Sequence, residues 1–130
     1  EKVRWRGPEP AFTLKAAGEP SLYIAGDTIY FQEITNIIRA YHPNIIVLNA
    51  GGAQFNVGDP ITMTAEDVAA VCRASSNAKV IAVHMEAINH CLVSRDDLRN
   101  HLELEGLIEQ VFIPMDGETI TLSSVEKENN

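Results

Sequence analysis

Two stretches decide the fold: Tyr23-Ile24-Ala25-Gly26-Asp27-Thr28 and Val80-Ile81-Ala82-Val83-His84. Each is a short apolar run of strand character that stops abruptly at a side chain able to bind metal. If the two strands are parallel neighbours, Asp27 and His84 leave the sheet at the same edge. That edge is where open α/β sheets hold their ligands.

Working outward, the pattern after Thr28 changes period. Phe31, Ile34, Ile38 and Tyr41 recur at helical spacing, which predicts a helix over 31–41 stopped by Pro43. Ile45 to Leu48 is a continuous apolar run and reads as a strand buried on both faces. Asn49-Ala50-Gly51-Gly52 follows, then a loop to about Met63. Thr64 with Asp67 has the form of a capping box, and Val68, Val71 and Cys72 mark the inward face of a second helix. After the strand Lys79 to Val83, Ser94 with Asp97 opens a third helix. It carries Leu98 and Leu102 and ends at Gly106. Val111 to Ile113 and Thr119 to Leu122 read as short strands around the turn Asp116-Gly117. Upstream, Ala11 to Ala16 and Ser21 to Ala25 read as a hairpin around Gly18-Glu19-Pro20. The first eight residues give no periodic signal, and the polar tail 123–130 is expected to fray.

The predicted order is β-β-α-β-α-β-α-β-β in one domain over 1–130: an α/β fold with a mixed sheet and helices on one face. The central β-α-β-α-β is two crossovers, which are right-handed almost without exception and make parallel neighbours. Strands 21–25, 45–48 and 79–83 then end together, and Asp27, the 49–52 loop and His84 converge.

Composition narrows the function classes. The chain has 130 residues, enough for one ordinary core, with 45% hydrophobic and 22% charged residues. Ten basic against eighteen acidic residues give a net charge of -8, which speaks against nucleic acid as a partner. Two isolated cysteines, Cys72 and Cys91, make neither a disulfide framework nor a zinc ribbon. No apolar run has the length of a membrane span and no signal-peptide pattern opens the chain, so the expectation is a cytoplasmic protein with no membrane partner.

Each candidate residue has a functional and a structural reading. Asp27 either ligates or bridges metal ions, or satisfies backbone N–H groups of its turn. His84 either binds metal, its other nitrogen held by a partner such as Glu86, or is a structural strand-end histidine. Finding both at one rim favours the functional pair. His90 either contacts substrate as an acid or base, or caps its own loop. His42 and His101 read as surface features. Gly51-Gly52 reads as a tight turn or close backbone approach; a phosphate site at a helix N-terminus is the lesser alternative. Asp59, Met63 and Thr64 read as loop and cap residues. Cys91 is adjacent to His90 and faces away from it on an extended chain, and no G-x-S-x-G is present, so acyl-enzyme chemistry is set aside.

Together, Leu22 to Thr28, Ile45 to Gly52, Met63 to Asp67 and Val80 to His84 resemble the second half of a metallo-β-lactamase-fold hydrolase, nearest in appearance to its lactonase-like branch. The likeness runs from about Phe12 to about Ile120. It implies half of an αββα sandwich. It also implies Asp27 as a residue bridging two metal ions, His84 as a ligand of the second, and His90 as a cleft residue. The divalent metal would be zinc, manganese or iron, activating water against an ester, lactone, amide or phosphoester of a small-molecule substrate. The family's H-x-H-x-D-H string is absent here: the four histidines are 42, 84, 90 and 101. Two ligands fall short of the three plus water that a zinc site uses, so this chain alone is expected to bind metal weakly and hydrolyse nothing efficiently. A half-sandwich also leaves the inner face of its sheet bare, which leads us to expect a homodimer through that face. The rival reading is a non-catalytic, self-associating α/β module that binds a small ligand or protein at the same rim.

Overall fold

Alternation of side chains along each strand, set against the helical spacing between strands, divides the sheet into two unlike faces. A computed structural model describes residues 2–5, 12–26, 28–30, 32–53, 62–85 and 93–122. Six strands lie side by side in sequence order: β1 (Lys2–Trp5), β2 (Phe12–Lys15), β3 (Leu22–Ile24), β4 (Ile45–Asn49), β5 (Lys79–Val83) and β6 (Val111–Phe112). β1, β2 and β3 are antiparallel; β3, β4, β5 and β6 are parallel, so the sheet is mixed as expected. The β2–β3 hairpin turns through Gly18 at φ +78°, with Glu19 N–H donating to Ala16 O at 3.2 Å. Glycine holds that left-handed conformation without steric cost.

Three helices fill the crossovers: α1 (Gln32–Tyr41), α2 (Ala65–Ala74) and α3 (Arg95–Leu104). Their buried residues include Ile34, Ile37 and Ile38, then Val68, Val71 and Cys72, then Leu98 and Leu102. All join one core with Tyr23, Ile46, Leu48, Val80, Ala82 and Val111 of the sheet. The helices therefore cover one face. Both anticipated capping boxes are formed. Thr64 Oγ1 accepts from Asp67 N at 3.3 Å while Thr64 N donates to Asp67 Oδ2 at 3.2 Å; in the second, Ser94 Oγ accepts from Asp97 N at 3.0 Å and Ser94 N donates to Asp97 Oδ2 at 3.2 Å. Such reciprocal bonds satisfy two of the N–H groups a helix start leaves without partners. At the other end of α2, Gln110 Nε2 donates to Ser75 O at 2.7 Å and to Cys72 O at 3.3 Å. Arg95 Nε donates to Pro114 O at 2.8 Å and its guanidinium pairs with Asp116 at 2.7 Å, fixing the chain after β6 to the start of α3.

Three expectations change. Lys2–Trp5, read as featureless, forms β1 against β2. Its alternation of long cationic and apolar residues is too short to register as a period, and pairing supplies the rest. Thr119 to Leu122 is not a strand: the Asp116-Gly117 turn forms, but no ladder follows, and Leu122 is held by burial of its side chain. The β4 run is not buried on both faces. Ile46 and Leu48 are fully buried, while Ile45, Val47 and Asn49 on the other side are half-buried. The polar tail 123–130 lies outside the described residues. Among those described, no helix is long and apolar enough to cross a membrane.

Candidate functional site

Three parallel strands end together, and each end is tied to the next strand by a backbone bond. Ala25 N donates to Val47 O at 3.0 Å, and Ala50 N donates to Val83 O at 2.9 Å. The register pairs Ile24 with Val47 and Asn49 with Val83, so Gly26 stands level with Asn49 and His84 level with Ala50. This is the rim the sequence predicts.

The backbone at the rim turns sharply. Gly26 (φ +75°), Gly52 (φ +59°) and His84 (φ +66°) all adopt left-handed conformations. For the glycines this carries no penalty, whereas for a histidine it costs about 1–2 kcal/mol. His84 is exposed, while Met85 beside it is buried. A left-handed residue with a metal-competent side chain at a strand end is the kind of locally strained geometry that clusters at functional sites.

The second turn is built for close approach, as Gly51-Gly52 suggests. Gly52 N donates to Met63 O at 2.9 Å, Met63 N donates to Asn49 O at 3.1 Å, and Val93 N donates to Gly51 O at 2.8 Å. A Cβ on Gly52 would stand 2.6 Å from Val93 Cγ2, so no other residue fits without displacing Val93. Thr62, which sequence reading passed over, is buried and accepts Ala53 N–H on Oγ1 at 2.7 Å. Its only signal was a hydroxyl beside Met63 in the chain segment that returns to the rim. The lesser phosphate reading loses ground here. The N-terminus of α2 already has Thr64 and Asp67 on its N–H groups, and the Asp67 carboxylate opposes an anion.

The remaining candidates divide by position. Asp27, His90, Glu86, Asp59 and Cys91 lie outside the described residues; Gly26 and Thr28, which flank Asp27 in sequence, are described. His42 is exposed at the C-terminus of α1, at φ +46°, where its N–H donates to Ile38 O at 2.9 Å. His101 is half-buried in the last turn of α3. Both belong to helix C-termini, at the end of the fold opposite the rim. Burial pushes the Cys72 thiol up to about 11, with Arg73 pulling weakly the other way, so it remains a protonated core residue. Among the described residues, no three His, Cys, Asp or Glu side chains gather where they could hold a metal ion.

No family model matches the chain. It is 36% identical over 121 residues to the UPF0173 protein YddR of Bacillus subtilis, a match covering 93% of this chain and 48% of that one. A possible metal-dependent hydrolase from Veillonella parvula superposes with a TM-score of 0.83 at 36% identity, over 89% of this chain and 45% of its own. An isothiocyanate hydrolase from Delia radicum gut bacteria gives the same TM-score at 34% identity, again over 89% and 45%. The metallo-β-lactamase fold protein YhfI from Bacillus subtilis, at 12% identity, matches in fold alone, with a TM-score of 0.59 over 88% of this chain and 44% of its own. The fold is half of a metallo-β-lactamase sandwich. The half-sandwich spans about half the length of the relatives it matches, as the missing H-x-H-x-D-H string implies. Its relatives' names imply a divalent metal without specifying which.

Proposed function

We propose that this chain is one half of a metal-dependent hydrolase, contributing His84 and Asp27 to a divalent-metal centre that it does not complete alone. The observation that carries this is the rim itself, where three parallel strands end level with one another and β5 delivers an exposed histidine in a left-handed turn. A hydrolytic metal centre uses at least three protein ligands and a water. The described residues do not meet that requirement by themselves, and the relatives it matches carry about as much chain again, on which further ligands can stand. His84 supplies an imidazole nitrogen and Asp27 a bridging carboxylate; His90 serves as an acid or base in the cleft. The metal is zinc, manganese or iron. The substrate is a small electrophile: an ester, lactone, phosphoester or, as the name of one structural neighbour suggests, an isothiocyanate. With two cysteines and no disulfide framework, the chain suits the reducing cytoplasm.

The test is elemental analysis and calorimetric titration of zinc and manganese into the parent chain and an Asp27→Ala, His84→Ala double variant. The parent should bind substoichiometrically and weakly, the variant not at all, and neither should hydrolyse a lactone, phosphodiester or isothiocyanate. Full occupancy with turnover in the parent alone would show that the centre is complete. Indifference of both proteins to metal would favour the non-catalytic, self-associating module, for which the apolar sheet face is the supporting observation.

A further inference from the structure

At the end of the fold opposite the rim, the C-terminal ends of α1 and α2 part around a cavity of about 250 Å³. Its exposed polar residues are Arg39, His42, Ser76 and Asn77. Arg39 also borders an adjoining groove of about 410 Å³ between the two helices, together with Arg73. Among the described residues, neither wall contains an aspartate or glutamate, although the chain carries eighteen acidic residues and a net charge of -8. Arg39 differs from the other cations described. Arg73 pairs with Glu105, Arg95 with Asp116 and Arg99 with Asp96, while Lys79 lies over Phe112 and Lys15 over Tyr41. Arg39, exposed in the last turn of α1, has no acidic or aromatic partner among the described residues. A guanidinium left unpaired in so acidic a molecule is a local attractor for anions. Two helix C-termini would ordinarily oppose one. Here their last carbonyls are engaged: Ile38 O accepts from His42 N at 2.9 Å, Val71 O from Ser75 Oγ at 2.7 Å, and Cys72 O from Ser75 N and Gln110 Nε2, both at 3.3 Å.

We propose that this cavity holds the phosphate group of a small molecule, at a site separate from the metal rim. The planar fork of Arg39 offers paired N–H donors to phosphate oxygens. His42 stands in the same wall in a left-handed conformation (φ +46°) directly after α1, and Ser76 and Asn77 come from the turn between α2 and β5. Donors therefore border the space from three places in the chain. That spread suits a tetrahedral anion whose oxygens point several ways, whereas a flat carboxylate engages a single fork. The cavity lies just below the range of drug-sized sites, about 300–1,000 Å³, and fits a small anion. The groove beyond Arg39, bordered by Ala70 and Ala74, has room for the rest of a phosphomonoester. The cavity opens among the helix ends, on the helix side of the sheet, so the site is independent of what covers the opposite face.

Inorganic phosphate titrated into the chain at constant ionic strength should shift the amide resonances of Arg39, His42, Ser76 and Asn77 saturably. Arg39→Gln should weaken that binding about tenfold or more, the scale of one lost charge-assisted contact. Arg99→Gln removes the same charge from α3 and should leave the affinity unchanged. Both arginines are exposed helix residues, so both variants should keep the fold. Acetate should leave the four resonances in place. Shifts of the same residues by glycerol 3-phosphate would make an ester the occupant; a response to inorganic phosphate alone would make it the free ion. The absence of saturable shifts at these residues overturns the proposal. So does equal weakening by Arg39→Gln and Arg99→Gln, or acetate binding as tightly as phosphate.

Discussion

The sheet has two faces of nearly equal hydrophobicity and opposite fate. On one, Thr13, Tyr23, Ile46, Val80 and Val111 pair across five strands and are buried under α1, α2 and α3. On the other, one residue along, Phe12, Ile24, Val47, Ile81 and Phe112 pair in the same way with no helix of the described residues above them. The difference teaches that apolar patterning alone does not say what a strand is buried against. Ile45-Ile46-Val47-Leu48 is written for two covers, and the helices of this chain provide one of them.

The contrast is most easily broken by truncation. Leu48→Ala on the covered face should cost about 3 kcal/mol of unfolding free energy, the usual range for a fully buried leucine in a packed core. Val47→Ala, its neighbour on the other face, should cost less than about 1 kcal/mol when measured in urea at concentrations low enough to keep chains apart. Equal losses would mean that both faces are packed within a single chain.

Titration at high pH sharpens the same contrast. Burial, with a smaller contribution from Glu33, pushes the Tyr23 hydroxyl up to about 12, and Cys72 lies at about 11. Both groups ionise earlier in the unfolded chain, which therefore binds fewer protons than the native one, and stability falls as pH rises. The loss begins near the ordinary thiol and phenol values and is complete once the native values are passed, a window of about pH 9 to 12. Tyr23→Phe keeps the ring and removes the ionisation, so it should flatten the upper part of that limb in denaturation curves taken across the window. An unchanged slope would mean that Tyr23 is solvated.

A modest effect is expected at the rim, where β5 ends. His84→Gly and His84→Ala both remove the imidazole, but only glycine occupies φ +66° without strain. The glycine variant should be the more stable by about 1 kcal/mol in thermal or urea unfolding. Parity would mean that the backbone relaxes once the imidazole is gone.

Much of this architecture was legible because its signals are local. The helical spacing of α1, the two capping boxes, the strand-to-turn endings at Gly26 and His84, and the glycine pair that must pass Val93 all follow from residues near one another in the chain. What sequence missed depends on partners. Lys2–Trp5 becomes a strand because β2 offers an edge, and Thr119 to Leu122 does not because no edge receives it. Thr62 was passed over since its bond to Ala53 N joins residues nine positions apart in the chain. At the candidate site, position could be read and completeness could not. A strand ending in histidine marks the rim, whereas the number of ligands depends on which side chains distant parts of a fold bring together.

The strand order has a consequence for how the molecule is made. Because β1 to β6 are adjacent in space in the order in which they occur in the chain, every strand that appears during synthesis finds its neighbour already in place. Among these strands, assembly can proceed by stepwise addition, with each helix folding over the strand just added.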